Sequence, residues 1–139
     1  MKIIDATDMI IGRLATKVAK MLLLGETIAI VNSEKVVITG TKDMVLSKFK
    51  QKRERGIPLN GPYYPRRPDM ILKRTIRGML PYKQEKGLSA FKRLKCYVSV
   101  PFEFEGKTFE KIEGAHISNS SSEKYVTLLT VSKFLGAKL

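Results

Sequence analysis

The chain has 139 residues, of which 43% are hydrophobic, and its 26 Lys and Arg against 13 Asp and Glu give a formal net charge of +13. This length and apolar content predict one folded domain over residues 1–139 and exclude a disordered basic tail. Cys96 is the only cysteine, which excludes an internal disulfide framework and suits a reducing cytosol. No signal peptide is expected, and no apolar stretch reaches the roughly 20 residues of a membrane span.

The N-terminal part of the chain alternates between strand and helix patterns. Short apolar or β-branched runs predict strands over residues 2–6, 27–31 and 36–39. Apolar residues at helical spacing predict a helix that Asp8 caps and that ends near Gly25. A second, strongly basic helix follows a cap at Thr41. The strand–helix–strand beginning favours a parallel α/β sheet with right-handed crossovers.

A long loop follows the second helix. Proline and glycine recur between Gly56 and Asp69 and forbid regular structure there, and loops of this length are usually functional or disordered. Beyond it we predict a third helix between Asp69 and Pro81, a short helix over residues 89–94, a strand over 95–100 and a last helix over 131–135. Residues 102–109 are expected to be irregular or hairpin-like.

Nearly all of the excess positive charge lies in the middle third of the chain. Residues 48–95 hold 15 Lys and Arg but only three acidic residues, Glu54, Asp69 and Glu85, which gives this segment a net charge of +12. The flanks, 1–47 and 96–139, are close to neutral. Such a block repels itself and indicates a polyanionic partner, with a solvated run of surface charge as the alternative.

Few residues suggest catalysis or a bound cofactor. Gly12 stands alone, and Gly40-Thr41-Lys42 matches neither a dinucleotide-binding loop nor a Walker A loop. His116 is the only histidine and lies far from Cys96 in sequence, so no metal-ligand set is evident. We expect Cys96 in the strand core and His116 in a loop or at the surface. We therefore predict no enzyme activity, no cofactor, no metal and no small-molecule substrate.

The long loop contains Tyr63-Tyr64-Pro65-Arg66-Arg67, a combination suited to nucleic acid. Tyrosine can stack on unpaired bases, and arginine can stack or bond phosphate in a bidentate manner. RNA is favoured because its loops and bulges expose bases. For Tyr63 and Tyr64 the alternative is a hydrophobic plug that ties the loop to the domain.

The predicted helices extend this basic character. Arg13, Lys17 and Lys20 form one stripe of the first helix, for which a solvated face is as good an explanation as a contact. The second and third helices each show a basic face beside their apolar side. We therefore expect the RNA-binding surface to include helices as well as the loop.

Four blocks of the sequence resemble the ribosomal protein L-thirteen family of the large subunit. These blocks are Ile11–Thr16, Ile30–Gly40, Ile76–Pro81 and Phe91–Tyr97, and they occur in the family's order. They extend from the first strand to the strand at Cys96, about two-thirds of the chain. The chain lacks the N-terminal extension and the insertion after the first helix of bacterial members and the longer tail of eukaryotic ones, so it most resembles an archaeal form.

The resemblance implies a three-layer α/β/α sandwich around a mostly parallel four-stranded sheet. It also implies a structural role in the large subunit, with rRNA binding and a part in early assembly. The implied partners are large-subunit rRNA and neighbouring large-subunit proteins, in cytoplasmic ribosomes and away from membranes. The family's rRNA contacts, carried over by motif, fall on Arg13, Lys20, Arg77, Lys92, Arg93 and Lys95.

The full set of predicted RNA-binding residues combines these positions with those chosen on charge and aromatic character. The set is Arg13, Lys17, Lys20, Lys48, Lys50, Lys52, Arg53, Arg55, Tyr63, Tyr64, Arg66, Arg67, Lys73, Arg74, Arg77, Lys92, Arg93 and Lys95.

Two other functions stay open as alternatives. An α/β enzyme acting on a nucleotide or a phosphorylated substrate would suit the sheet pattern and the helix start at Thr41. A peripheral protein drawn to anionic lipid would suit any basic surface, although no amphipathic helix with exposed bulky apolar residues is evident.

Overall fold

The structure, a computed structural model, describes all 139 residues of the chain. Strands and helices alternate through much of its length, as in other α/β folds. In chain order the elements are β1 (Lys2–Asp5), α1 (Ile11–Leu23), β2 (Ile28–Val31), β3 (Val37–Thr39), α2 (Lys42–Glu54), α3 (Pro68–Gly78), α4 (Glu85–Lys92), β4 (Leu94–Cys96), β5 (Tyr125–Thr127) and α5 (Leu128–Phe134). Three short 3-10 turns lie at Ser33–Lys35, Phe102–Phe104 and Ile117–Asn119.

A parallel sheet in the order β1-β2-β4 forms the centre of the fold. Ile4 of β1 lies opposite Ile30 of β2, and Ile30 lies opposite Cys96 of β4. Parallel neighbours require a crossover connection, which α1 supplies between β1 and β2. The strands β3 and β5 form a separate antiparallel pair, in which Ile38 lies opposite Val126.

The predicted α/β class is confirmed, while the layers differ from the expected sandwich. In place of one four-stranded sheet there are a three-stranded parallel sheet and a two-stranded antiparallel sheet. All five helices contribute side chains to a single core cluster of 23 buried residues. On the other face of the parallel sheet, Ile3, Ala29 and Val31 are covered by Phe104 of a 3-10 turn. An aromatic side chain therefore closes the face that a second helical layer was expected to cover.

The helices α1 and α3 pack against each other and carry much of the main core. Leu14, Val18 and Leu22 of α1 are fully buried at four-residue spacing, the pattern of an amphipathic helix. By contrast, α2 buries only Val45 and Phe49, so most of its side chains, including its lysines, face outward. No helix combines the length and the apolar character needed to cross a bilayer.

The predicted caps of two helices are wrong. Asp8 lies outside α1 with a φ of +57°, and the N-cap residue is Ile10, whose N–H donates to the carbonyl of Ala115. The helix α3 begins at Pro68, one residue before Asp69, because proline suits the first helical position. Asp69 instead lies in the first turn, where the helix dipole favours a negative charge.

Two helices and one strand in the C-terminal half differ from the predictions. The helix α4 begins at Glu85 and α5 begins at Leu128, both earlier than predicted. The Thr127 hydroxyl accepts the Thr130 N–H at 3.4 Å and so caps α5. The strand β5 was not predicted, since its three residues carry little periodic signal and depend on pairing with β3.

Buried polar groups join the carboxyl ends of the parallel strands. β4 ends at Cys96, before the predicted residue 100, because the chain turns at Ser99 with a φ of +58°. The buried Glu34 carboxylate accepts the Ser99 N–H at 3.0 Å. The Ser33 N–H donates to the Tyr97 carbonyl at 3.1 Å. These bonds fix the loop after β2 against the loop after β4.

A second polar contact at this edge centres on Asp5. Its carboxylate accepts hydrogen bonds from the Thr7 hydroxyl at 2.7 Å, the Thr7 N–H at 3.1 Å and the Asn32 amide at 2.9 Å. Burial raises the pKa of Asp5, but the hydrogen bonds from Asn32 and Thr7 outweigh it and hold the pKa below its ordinary value. The folded state therefore favours the ionised carboxylate.

Replacing Thr7 with Val removes a hydroxyl donor to Asp5 and keeps the shape of the side chain. Because the folded pKa of Asp5 is lowered, its ionised form contributes stability above about pH 4, which is lost as the pH falls through the folded pKa. We expect Thr7→Val to lower the free energy of unfolding by about 1 kcal/mol at pH 7 and by less at acidic pH. Urea unfolding at several pH values measures this.

Thr108→Val at an exposed position is the matched control and should leave stability unchanged. A loss for Thr7→Val that is equal at all pH values would contradict a role for Asp5 ionisation.

Candidate nucleic-acid interface

The proline-rich loop between α2 and α3 has a defined shape although it has no regular structure. The Ile57 N–H donates to the Gly61 carbonyl at 3.3 Å, and the Gly61 N–H donates to the Ile57 carbonyl at 2.9 Å. The Tyr63 hydroxyl shares its single proton between the Pro58 carbonyl oxygen, at 2.9 Å, and the Leu59 carbonyl oxygen, at 2.8 Å. The tip of the loop is therefore closed on itself by hydrogen bonds.

Two arginines hold this loop between the helices on either side. Arg53 of α2 donates to the Tyr64 carbonyl at 2.7 Å. Arg74 of α3 donates to the Tyr63 carbonyl at 3.2 Å. Hydrogen bonds from a charged donor are stronger than neutral ones, so the two adjacent carbonyls are well anchored. Arg53 and Arg74 thus hold the loop in place in addition to contributing positive charge.

The two loop tyrosines have different environments. The Tyr64 ring packs edge-on against Phe49 with centroids 6.1 Å apart, and the Lys52 ammonium lies 5.5 Å from the Tyr64 centroid. Burial raises the pKa of the Tyr64 hydroxyl, and the charge of Arg74 partly opposes this. Tyr64 therefore ties the loop to the core, as the structural alternative for this residue describes, and its contact with RNA stays a prediction. Tyr63 is 63% exposed and remains accessible.

A groove runs beside Tyr63 between the loop and the helices α3 and α4. It has a volume of about 410 Å³ and combines aromatic and aliphatic walls with three cationic side chains. We call it the Tyr63 groove, and it is lined by Tyr63, Tyr64, Pro65, Met70, Lys73, Arg74, Arg77 and Phe91. No carboxylate lines it, so its electrostatic character is positive throughout.

Cations of the groove lie on aromatic rings. The Lys73 ammonium is 5.1 Å from the Phe91 centroid, and the Arg77 guanidinium is 4.7 Å from the Tyr82 centroid. Cation–π contacts of this kind hold a charged group in place without neutralising it. The charges of Lys73 and Arg77 therefore remain available to an anion.

Other predicted RNA-binding residues line two further hollows. Arg53, Arg55 and Arg66 line a second hollow of about 470 Å³ that also includes Tyr63. Lys48 and Lys52 line a third hollow, against the apolar side of α2. Partial burial and the charge of Lys48 lower the pKa of Lys52 from its ordinary value. The structure thus brings α2, the loop and α3 together into one basic surface.

The stripe on α1 lies apart from this surface. Arg13 and Lys17 line a small hollow together with Glu113, and Arg13 lies within 3.2 Å of the Gly114 carbonyl, to which it donates. Lys20 lines a different hollow with Lys86. Both explanations of the stripe stay open, since these side chains are exposed.

Three more predicted residues have partners within the protein. Arg93 donates to the Leu22 carbonyl at 2.6 Å and so caps the last turn of α1. The Arg67 Nε lies 3.3 Å from the buried Asp69 carboxylate, an ion pair by distance although not a hydrogen bond. Lys50 lies 4.0 Å from Glu54 in an exposed pair, a type that contributes little to stability. Lys92 and Lys95 are exposed.

Sequence reasoning missed several residues that the structure places beside the predicted ones. Met70 and Phe91 form apolar walls of the Tyr63 groove, and Lys86 lies with Lys20. Phe91 directly precedes predicted contact residues, and Met70 is an apolar residue that is 47% exposed on a basic helix. The signals in the sequence are weak: Met70 lies four residues before Arg74, on the same helix face, and Phe91 immediately precedes Lys92.

Cys96 and His116 are where they were predicted. Cys96 ends β4 and packs against the main core, and burial raises the pKa of its thiol to about 12. His116 lies in a loop, where its Nδ1 accepts the Ser118 N–H at 3.1 Å. The structure contains no cluster of three or more His, Cys, Asp and Glu side chains able to hold a metal ion.

The chain is similar in sequence to a family of known proteins and to several of its members. Residues 1–103 match the family described as ribosomal protein L13. The large ribosomal subunit protein uL13 of Archaeoglobus fulgidus is 52% identical over 135 residues, which cover 96% of this chain and 86% of that protein. The uL13 proteins of Methanococcoides burtonii and Methanocaldococcus jannaschii are each 51% identical, with 99% of both chains covered.

The shape of the loop depends on Gly56, which has a φ of +88°. A Cβ at this position would lie 2.0 Å from the Gly61 carbonyl oxygen, so backbone would have to move. We expect Gly56→Ala to open the loop and to raise its rate of cleavage by trypsin at least tenfold, while the core stays folded. Limited proteolysis with mass spectrometry measures this.

Gly106→Ala is the matched control, because Gly106 also has a positive φ, of +77°, but an added Cβ would meet nothing within 4 Å. If both variants were cleaved at the same rate within residues 56–67, the close packing of Gly56 would have no part in shaping the loop.

Proposed function

The chain belongs to the ribosomal protein L13 family, and from this premise we propose that it binds large-subunit rRNA through the basic surface formed by α2, the loop and α3. This family consists of structural proteins of the ribosome, and the chain is not an enzyme. The alternative of an α/β enzyme acting on a nucleotide is therefore set aside.

One observation carries the proposal. The segment 48–95, with its net charge of +12, is folded into a surface whose shape is held by Arg53 and Arg74. Its three acidic residues offset only three of its 15 Lys and Arg, and two of them are paired within the segment, Glu54 with Lys50 and Asp69 with Arg67. A polyanion supplies the compensating charge, and folded RNA offers phosphates together with exposed bases.

The same surface is less suited to a lipid bilayer. Membrane-surface helices require a bulky apolar face next to their basic face. In α2, Val45 and Phe49 are buried and Leu46 packs partly against the core, so Met44 is the one exposed apolar side chain and the helix lacks a bulky apolar face. We propose that the protein resides in cytoplasmic ribosomes, meets neighbouring large-subunit proteins, and helps early assembly of the subunit.

Binding to a large-subunit rRNA transcript should be steeply dependent on salt. Each phosphate that the surface neutralises releases counterions and adds about 0.7 to 0.9 to the slope of log affinity against log salt concentration. With at least six phosphate contacts we expect a slope steeper than about −4. Filter binding between about 50 and 300 mM KCl, a range that includes physiological ionic strength, measures this slope. A flat response would refute the proposal.

Neutralising basic residues at two places should have unequal effects. We expect the quadruple change of Arg66, Arg67, Lys73 and Arg77 to Gln to reduce the salt slope by about 3 and to weaken binding. The matched control carries the same loss of four charges outside the segment, at Lys107, Lys111, Lys124 and Lys138. It should reduce the slope by less than about 1. Equal losses in the same filter-binding assay would contradict the localisation.

A further inference from the structure

The Tyr63 groove has features that a simple phosphate-binding surface does not need. A charged surface that contacts only phosphates requires cations, yet this groove has apolar walls from Met70 and Phe91. Its volume of about 410 Å³ is within the range of roughly 300 to 1,000 Å³ that sites for small organic groups occupy. The groove can therefore enclose a planar group as well as attract an anion.

Tyr63 is fixed in the orientation it presents to the groove. Its hydroxyl is held by the Pro58 and Leu59 carbonyls, and its own carbonyl accepts from Arg74. A Cβ on Gly61 would lie 3.1 Å from two atoms of the Tyr63 ring, so the ring rests closely on this glycine. The residue is nevertheless 63% exposed. A rigid, accessible aromatic face loses little entropy when a base stacks on it.

Two cationic side chains of the groove are available to the phosphate of a nucleotide. Lys73 and Arg77 lie one helical turn apart on α3 and both line the groove. Each rests on an aromatic ring, at 5.1 Å from the Phe91 centroid and 4.7 Å from the Tyr82 centroid, and neither has a carboxylate within ion-pair distance. Their unneutralised charge is suited to a backbone phosphate.

We propose that the Tyr63 groove receives a single unpaired nucleotide of the rRNA, with its base on the Tyr63 ring and its phosphate at Lys73 and Arg77. This inference rests on the proposed function and deepens it, because it assigns base recognition to one site on a surface that otherwise contacts phosphates. Tyr64, although adjacent in sequence, forms the floor of the site and is already packed on Phe49.

An apolar side chain of a neighbouring protein is the other occupant that such a groove could take. The charges of the groove favour the nucleotide, because three cations and no carboxylate line it. A protein segment would leave these charges unpaired unless it carried several acidic residues.

The test measures affinity of the full chain for a large-subunit rRNA transcript at several salt concentrations. We expect Tyr63→Ala to weaken binding between about 5-fold and 150-fold, the range for stacking of one base, with an unchanged salt slope. Tyr63→Phe keeps the ring but loses the hydroxyl contacts with the Pro58 and Leu59 carbonyls, so its affinity should lie between that of the wild-type protein and that of Tyr63→Ala. Tyr125→Ala removes a tyrosine that is 50% exposed but lies outside the groove, and should bind like the wild-type protein.

Ultraviolet cross-linking of the wild-type protein to the same transcript gives a second readout that needs no variant. We expect a nucleotide attached at Tyr63 or Phe91, mapped by mass spectrometry, and this result decides the matter if Tyr63→Ala fails to fold. The same mapping on purified large subunits would overturn the proposal if a protein chain, and not RNA, were attached there.

Different results would refute the nucleotide site alone and rRNA binding as a whole. Steep salt dependence with full affinity of Tyr63→Ala, and no cross-link in the groove, would refute the nucleotide site and leave rRNA binding in place. A loss for Tyr63→Ala that came with a lower salt slope would also refute it, because the variant would then have displaced phosphate-binding cations. A flat salt response of the wild-type protein would refute both.

Discussion

The surface that we propose to bind rRNA depends on the hydrogen bonds that Arg53 and Arg74 donate to two adjacent loop carbonyls, those of Tyr64 and Tyr63. The segment from 48 to 95 repels itself because of its net charge of +12. The loop between α2 and α3 lies within this segment. Directional bonds from the same cations close it, and Tyr64 then fills the space above Phe49. The bonds leave the positive charge in place, so an anionic partner still has charge to neutralise.

The rest of the domain supplies a rigid base for that surface. Strands β1 and β2 come from the near-neutral N-terminal flank, and β4 is the point where the basic segment joins their sheet. The helix α3 packs Ile71, Leu72 and Ile76 into the core, so its basic residues stand on a buried apolar face. Burial of each such side chain contributes about 1.5 to 3 kcal/mol. The hydrophobic effect thus holds in place charges that would otherwise drive the segment apart.

The buried and half-buried carboxylates of this protein hold loops in place by hydrogen bonds and are not placed for catalysis. Glu34 and Asp5 are the carboxylates that most resemble functional groups, yet each is satisfied by nearby donors, Glu34 by the Ser99 N–H and Asp5 by Thr7 and Asn32. Both lie where loops leave the carboxyl ends of the parallel strands, the edge at which α/β enzymes commonly bind ligands. Here that edge is closed by the protein's own hydrogen bonds, and the exposed chemistry lies on α2, the loop and α3.

Properties that depend on local pattern could be predicted from the amino-acid sequence. The helical spacing of Leu14, Val18 and Leu22, the α/β class and the concentration of charge in one segment are of this kind, because spacing and charge are readable along the chain. Tertiary contacts decided the rest. The strand β5 exists by pairing with β3, and Arg93 caps α1 from 71 residues away. Tyr63 is exposed and Tyr64 is half-buried on Phe49, and this difference follows from where Phe49 and Arg74 lie, since two adjacent identical side chains carry no local signal that separates them.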